Sequence, residues 1–180
     1  MRALRRTQFG DPILRQVTKR LSQVEIQSDG FQKLIGRMRY TLENKEYGVG
    51  LAAPQVGKSL ALILVGIKPT PSRPKHPTVN MVLINPEVIK TYGGKEPMWE
   101  GCLSFGGTKN FPYAQVPRYK KVRLRWQDEN ATSHERDFDG LLAHVLQHEV
   151  DHLNGVLFVD RVEDTKSYMT IAEYKKRYLR

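Results

Sequence analysis

The stretch His148-Glu149-Val150-Asp151-His152 decides how this chain is read. It continues a run in which Leu141, Leu142, Val145 and Leu146 recur at helical spacing, and Asn154-Gly155 supplies a stop. Residues four apart on a helix lie one turn from each other, so both imidazoles can reach one metal ion. Glu149 then stands where a carboxylate can take a proton from a metal-bound water. The bland alternative is a helix with two half-buried histidines. The amphipathic context favours a metal-dependent hydrolase.

Two histidines leave a third ligand to be found. One metalloprotease clan extends the pattern through a glycine to a third histidine. This chain follows it to Gly155 and then places Phe158 where that histidine would be. Another clan takes a glutamate from downstream; Glu173 lies at a suitable count but in a basic, weakly apolar segment. His144 precedes His148 by one turn. A ladder from His144 to His152 would be about 12 Å long at about 1.5 Å per residue, too long for one ion bound at about 2 Å. His144 is therefore expected behind the ligands or in a pocket wall. Glu100-Gly101-Cys102-Leu103-Ser104 holds the chain's only thiol beside a glycine that permits close approach. A thiolate with two imidazoles gives three protein ligands and an open position, a catalytic count.

Working outward, the remainder of the 180 residues reads as one compact domain. Asp11-Pro12 followed by Ile13, Leu14, Val17 and Leu21 predicts a short N-terminal helix. Ser28 or Asp29 caps a longer one carrying Phe31, Leu34, Ile35, Met38 and Leu42, with Gly48 at its end. Leu60–Ile67, Met81–Ile84 and Val88-Ile89 are apolar strand segments, and Lys121–Trp126 alternates as a half-buried strand before a turn at Asp128-Glu129-Asn130. Lys68–Pro77 reads as an exposed loop. Helical patterning resumes at Phe138. A short strand, Val156–Val159, and a basic, loosely packed helix from about Asp164 complete the chain.

Composition narrows the function classes. A single cysteine forms no internal disulfide. No apolar run is long enough to span a bilayer, and no export signal follows the basic N-terminus, so a cytoplasmic location without membrane attachment is expected. The net charge of +10 is spread along the chain. It suits transient contact with an anionic surface, without a signature of sequence-specific nucleic-acid binding.

A third segment is Gly48-Val49-Gly50-Leu51-Ala52-Ala53-Pro54-Gln55-Val56-Gly57. It is not a phosphate loop, because Ala52 stands where Gly57-Lys58-Ser59 would require a glycine. Gln55 is its chemically capable residue, with an amide N–H suited to a developing oxyanion. Together Gly48–Gln55, Glu100–Ser104 and Gln147–His152 resemble, in order and approximate spacing, the three signature motifs of the peptide deformylases. Phe9-Gly10-Asp11-Pro12 and Leu153-Asn154-Gly155 fit the same family.

That resemblance implies removal of the N-formyl group from the formyl-methionine of nascent polypeptides. Cys102, His148 and His152 would hold one divalent metal ion, Fe²⁺ in the cell, with Zn²⁺, Ni²⁺ or Co²⁺ as replacements. Glu149 would carry the proton. Gln55 and the Leu103 backbone N–H would stabilise the oxyanion, and Val49, Gly50 and Gly101 would hold the extended peptide. His144, with Met98, Leu141 and Val145, would line the methionine pocket. The implied fold class is α+β: antiparallel β-sheets packed around a central metal-binding helix, with an N-terminal and a C-terminal helix, over residues 1–180. The segment Phe105–Ala114 departs from the family pattern, and Lys109 there would contact the peptide backbone. The basic C-terminal helix would meet the ribosome. Another metallopeptidase or amidase of the His-Glu-x-x-His type is the alternative enzyme, and a non-catalytic formyl-peptide or ribosome-binding relative is the alternative from another class.

Overall fold

The computed structural model describes residues 2–44, 48–70, 73–106 and 112–178. The N-terminal signals produce two short turns rather than one helix. Asp11 accepts from the Ile13 N–H at 3.0 Å and caps a 3-10 turn, Pro12–Arg15. The helix expected to run on to Leu21 stops there, because tertiary bonds claim the next backbone groups. Thr18 donates to the Leu153 carbonyl through both N–H and hydroxyl, at 2.9 and 3.1 Å. Val17 is left 74% exposed. Ser22 and Glu25 form a reciprocal capping box at α1, Gln23–Ile26. Ser28 caps α2, Asp29–Glu43, which ends at Asn44, ahead of the expected Gly48.

The strands are β1 (Gly50–Ala52), β2 (Leu62–Ile67), β3 (Val79–Glu100), β4 (Pro112–Gln127) and β5 (Ser133–Asp139), hydrogen-bonded in sequence order, all antiparallel. A two-residue strand β6, Met169–Thr170, pairs with the start of β4. The unalternating apolar run of β2 follows from its position between two cores. Leu62 and Leu64 meet Phe31, Ile35, Met38 and Leu42 of α2, while Ile63, Val65 and Ile67 join the core beneath the helix α3, Gly140–Leu153. A strand covered on both faces reads as a continuous hydrophobic stretch. Each such side chain, fully buried, contributes about 1.5–3 kcal/mol.

Phe138 belongs to β5 rather than to the following helix; its ring is buried against Trp126, and Gly140, with φ of +55°, makes the turn into α3. The long β3–β4 ribbon has three register shifts, the last at Gly93-Gly94, where both glycines take positive φ. Bulges of this kind bend a ribbon. This one ends at Glu100, beside the helix that carries the histidines. The strand expected at Val156–Val159 is instead a 3-10 turn, Phe158–Arg161, whose Phe158 packs with Cys102 and Val116. The last helix, α4, begins at Ile171 rather than near Asp164 and runs to Tyr178. Tyr174 and Tyr178 lie against Trp99, and Tyr174 stacks on Tyr113. No described helix is long and apolar enough to cross a membrane.

Candidate active site

Every residue of α3 from Ala143 to Leu153 is buried, including His144, Gln147, His148, Glu149, Asp151 and His152. Buried polar groups need partners. Gln147 pairs its carboxamide with both backbone groups of Tyr119, accepting from the N–H at 3.0 Å and donating to the carbonyl at 2.9 Å. It docks α3 on β4. Asp151 is bonded by Arg118 and, at 2.8 and 3.1 Å, by the Arg161 guanidinium.

Arg118 also donates to both oxygens of Glu100, at 2.8 and 3.2 Å. Glu100 in turn lies 2.6 Å from His148 Nδ1. A proton on that nitrogen leaves Nε2 free as a ligand, and such a carboxylate fixes the ring and raises its basicity. Burial works to raise the Glu100 pKa, but His148 and Arg118, both bonded to it, hold it well below the usual carboxylate range. His144 Nε2 lies 2.5 Å from Glu100 Oε1. Glu100 and Arg118 went unrecognised as functional candidates in the sequence. The signal for Glu100 was its place two residues before the thiol. Arg118 carried none, because a buried arginine is not distinguishable by composition from the surrounding basic residues.

The β3–β4 connection brings Cys102 to α3. Cys102 Sγ, His148 and His152 offer three ligand atoms within 4.8 Å of one another, and Sγ is 3.3 Å from His152 Nε2. Among the described residues this is the group able to hold a metal, and His144 is not in it. Burial, with His148 alongside, holds the His152 pKa well below its ordinary value, which favours the neutral imidazole that a metal ligand requires. The donor set fits a borderline or soft divalent cation bound at about 2.0–2.3 Å from each ligand.

The glycine-rich segment closes the other side. Gln55 lies in a 3-10 turn, Ala53–Val56. Its Oε1 accepts from the Ala52 N–H at 2.8 Å, which turns Nε2 toward Cys102 Sγ at 3.3 Å. Gly50 lies on β1, an edge of the sheet, against Glu149. Burial pushes Glu149 up to about 7, with the Glu100 charge adding to this and His148 opposing it. Glu149 Oε2 is buried without a hydrogen-bond partner among the described residues. The Leu103 N–H likewise has no acceptor among them. Val49 is half-buried and its carbonyl accepts from the Gly66 N–H at 2.9 Å. Gly101 is half-buried beside Cys102; Leu141 and Val145 pack toward the core under α3, and Met98 is half-buried on β3. Lys109 lies outside the described residues.

A profile of the family described as polypeptide deformylase matches residues 4–168. The chain belongs to that family. It is 43% identical over 162 residues to the peptide deformylase of Leptospira biflexa, covering 89% of this chain and 88% of the relative. It is 42% identical over 155 residues to that of Chlorobium luteolum, covering 86% and 76%. A Met-Ala-Ser-bound class I type b peptide deformylase from Acinetobacter baumannii superposes with a TM-score of 0.81 at 34% identity, over 89% of this chain and 99% of that one. The chain is thus a deformylase-family hydrolase, an enzyme of N-formyl removal from nascent polypeptides, and metal dependence accords with its Cys-His-His group.

Proposed function

We propose that Cys102, His148 and His152 hold one divalent cation and that Glu149 carries the proton in hydrolysis of the formyl amide. The resident ion is Fe²⁺, with Zn²⁺, Ni²⁺ or Co²⁺ as replacements; the mixed sulfur and nitrogen donors accept all four. A cation bound there would supply Lewis acidity for water activation and for polarising the formyl group. Glu149 accepts the water's proton and delivers it to the amine nitrogen as the bond from that nitrogen to the formyl carbon breaks. Formate and a free amino terminus are the products. Gln55 Nε2 and the Leu103 N–H donate to the formyl oxygen as negative charge develops on it. Val49, Gly50 and Gly101 bind the extended peptide along the β1 edge by main-chain hydrogen bonds. His144 backs the methionine pocket through Glu100.

One observation carries this reading: Cys102, His148 and His152 bring three potential ligand atoms within 4.8 Å of one another, with the Gln55 amide 3.3 Å from the sulfur and Glu149, next to His148 in the chain, holding a buried oxygen that has no hydrogen-bond partner among the described residues. The test is formate release from a formyl-methionyl tripeptide by protein purified anaerobically with its metal quantified. An oxygen-sensitive iron–thiolate centre would otherwise be lost. Cys102→Ser is expected to lose the metal, and unchanged metal content sinks the ligand set.

The location we propose is cytoplasmic, with transient contact to the ribosome. The last turn of α4 carries Lys175, Lys176 and Arg177, suited to an anionic RNA surface. Salt-sensitive co-sedimentation with ribosomes, weakened by reversing these three charges, is expected. Charge reversal is a cleaner probe than deletion, because Tyr174 and Tyr178 pack on Trp99, next to Glu100. Unchanged co-sedimentation removes this contact.

A further inference from the structure

A chain of hydrogen bonds runs from the N-terminal segment to the sulfur of Cys102. Arg6 Nη1 donates to the Leu103 carbonyl at 2.9 Å. That carbonyl belongs to the same peptide unit as the Ser104 N–H, which donates to Cys102 Sγ at 3.4 Å. The neighbours of Arg6 tie down the surrounding backbone. The Thr7 N–H donates to the Gln55 carbonyl at 2.8 Å and the Phe9 N–H to the Ser104 carbonyl at 2.7 Å. Gln8 Oε1 accepts from the Gly106 N–H at 3.1 Å, and the Phe9 ring stacks on Phe105 with centroids 4.4 Å apart. Residues 6–9 therefore bind both turns that converge on the cluster, the one with Gln55 and the one with Cys102.

We propose that Arg6 is a positioning residue for the metal-ligating sulfur, acting through the Leu103–Ser104 peptide. The inference rests on the ligand set proposed above. A guanidinium bonded to a carbonyl is a charge-assisted donor. It fixes the peptide plane and polarises it, which strengthens the N–H at the other end. A sulfur that accepts such a bond gives less electron density to its cation, and outer hydrogen bonds of this kind tune a metal site. Arg6 is not one of the proposed ligands. Its effect passes through one peptide unit.

The test uses the full chain loaded with Co²⁺, whose sulfur-to-cobalt charge-transfer band reports on the thiolate. Arg6→Ala is expected to shift that band and lower kcat about tenfold, equivalent to about 1.4 kcal/mol of barrier. KM for a formyl-methionyl tripeptide stays within twofold. Arg6→Lys, which keeps a charged donor, is expected to restore band and kcat toward wild type. A wild-type band and kcat in Arg6→Ala overturn the proposal, whatever happens to the melting temperature. If that variant does not fold, Arg6→Gln decides: a shifted band supports the proposal, and wild-type behaviour overturns it. Failure of the ligand set shows separately, as a wild-type protein without the band or a Cys102→Ser protein that retains it.

Discussion

A β-carbon on Gly50 would lie 2.3 Å from Oε1 of Glu149. The glycine on the edge strand and the glutamate on the central helix occupy adjoining space, and only a hydrogen on the glycine leaves room for the carboxylate. The Gly50 backbone has no positive φ, so its requirement for glycine is one of contact rather than torsion.

Gly50→Ala should therefore act on chemistry before stability. On the proposed mechanism the displaced Glu149 carboxylate no longer meets the reacting water, and misplacement by about 1 Å typically costs on the order of 100-fold in rate. Steady-state kinetics alongside thermal melting checks this; a variant with wild-type kcat shows that Glu149 has slack.

Glu149→Ala should retain its metal and lose nearly all turnover, since Glu149 is not among the three proposed ligands. General-base contributions are typically about 100- to 10,000-fold. Metal-replete protein with full activity would remove Glu149 from the mechanism.

Glu100→Gln should weaken metal binding by about 10- to 100-fold, the usual effect of removing the carboxylate behind a ligating histidine. A competition titration with a chelator reads it directly. Arg118→Ala should instead destabilise the fold by about 3–5 kcal/mol, because it leaves Glu100 and Asp151 as buried carboxylates short of their cation. Denaturant unfolding distinguishes the two variants.

Asp128 accepts from the Asn130 and Thr132 N–H groups, both at 2.9 Å, and contacts His134 at 2.8 Å. Burial works to raise its pKa, yet the bonds from His134, Thr132 and Asn130 hold it below the ordinary 3.8. A depressed folded-state pKa contributes stability that is present above the unfolded value and is lost as pH falls toward the folded one. The wild type should thus lose more melting temperature than Asp128→Ala between about pH 5 and pH 3, the window set by an aspartate pKa of about 3.9. Parallel slopes for the two proteins would show that Asp128 carries none of the acid sensitivity.

The site was legible where its chemistry depends on local spacing. His148 and His152 can face one ion because a helix puts them one turn apart, and Cys102 was reachable by eliminating Phe158, His144 and Glu173. Glu100 and Arg118 were not legible. Their roles arise from a carboxylate at the end of β3 and a guanidinium on β4 meeting beside α3, and no sequence interval encodes that meeting. The segments misread near the chain ends share one physical cause. Residues 12–21 and 156–170 have local patterns too weak to outweigh tertiary bonds, such as those Thr18 makes to Leu153.

By itself the sequence determined the central helix, the pairing of two histidines with a glutamate, the thiol as their partner, and the family resemblance. The helix and its histidine pair follow from residue type and periodicity, the thiol from elimination of the other candidate ligands, and the resemblance from three motifs matched in order. Only the tertiary structure decided which buried groups support the ligands, why Gly50 must lack a side chain, and how an N-terminal arginine reaches the peptide behind Cys102. Those relationships join residues from separate elements, and the packing of α3 against the bent ribbon is what brings them within hydrogen-bonding distance.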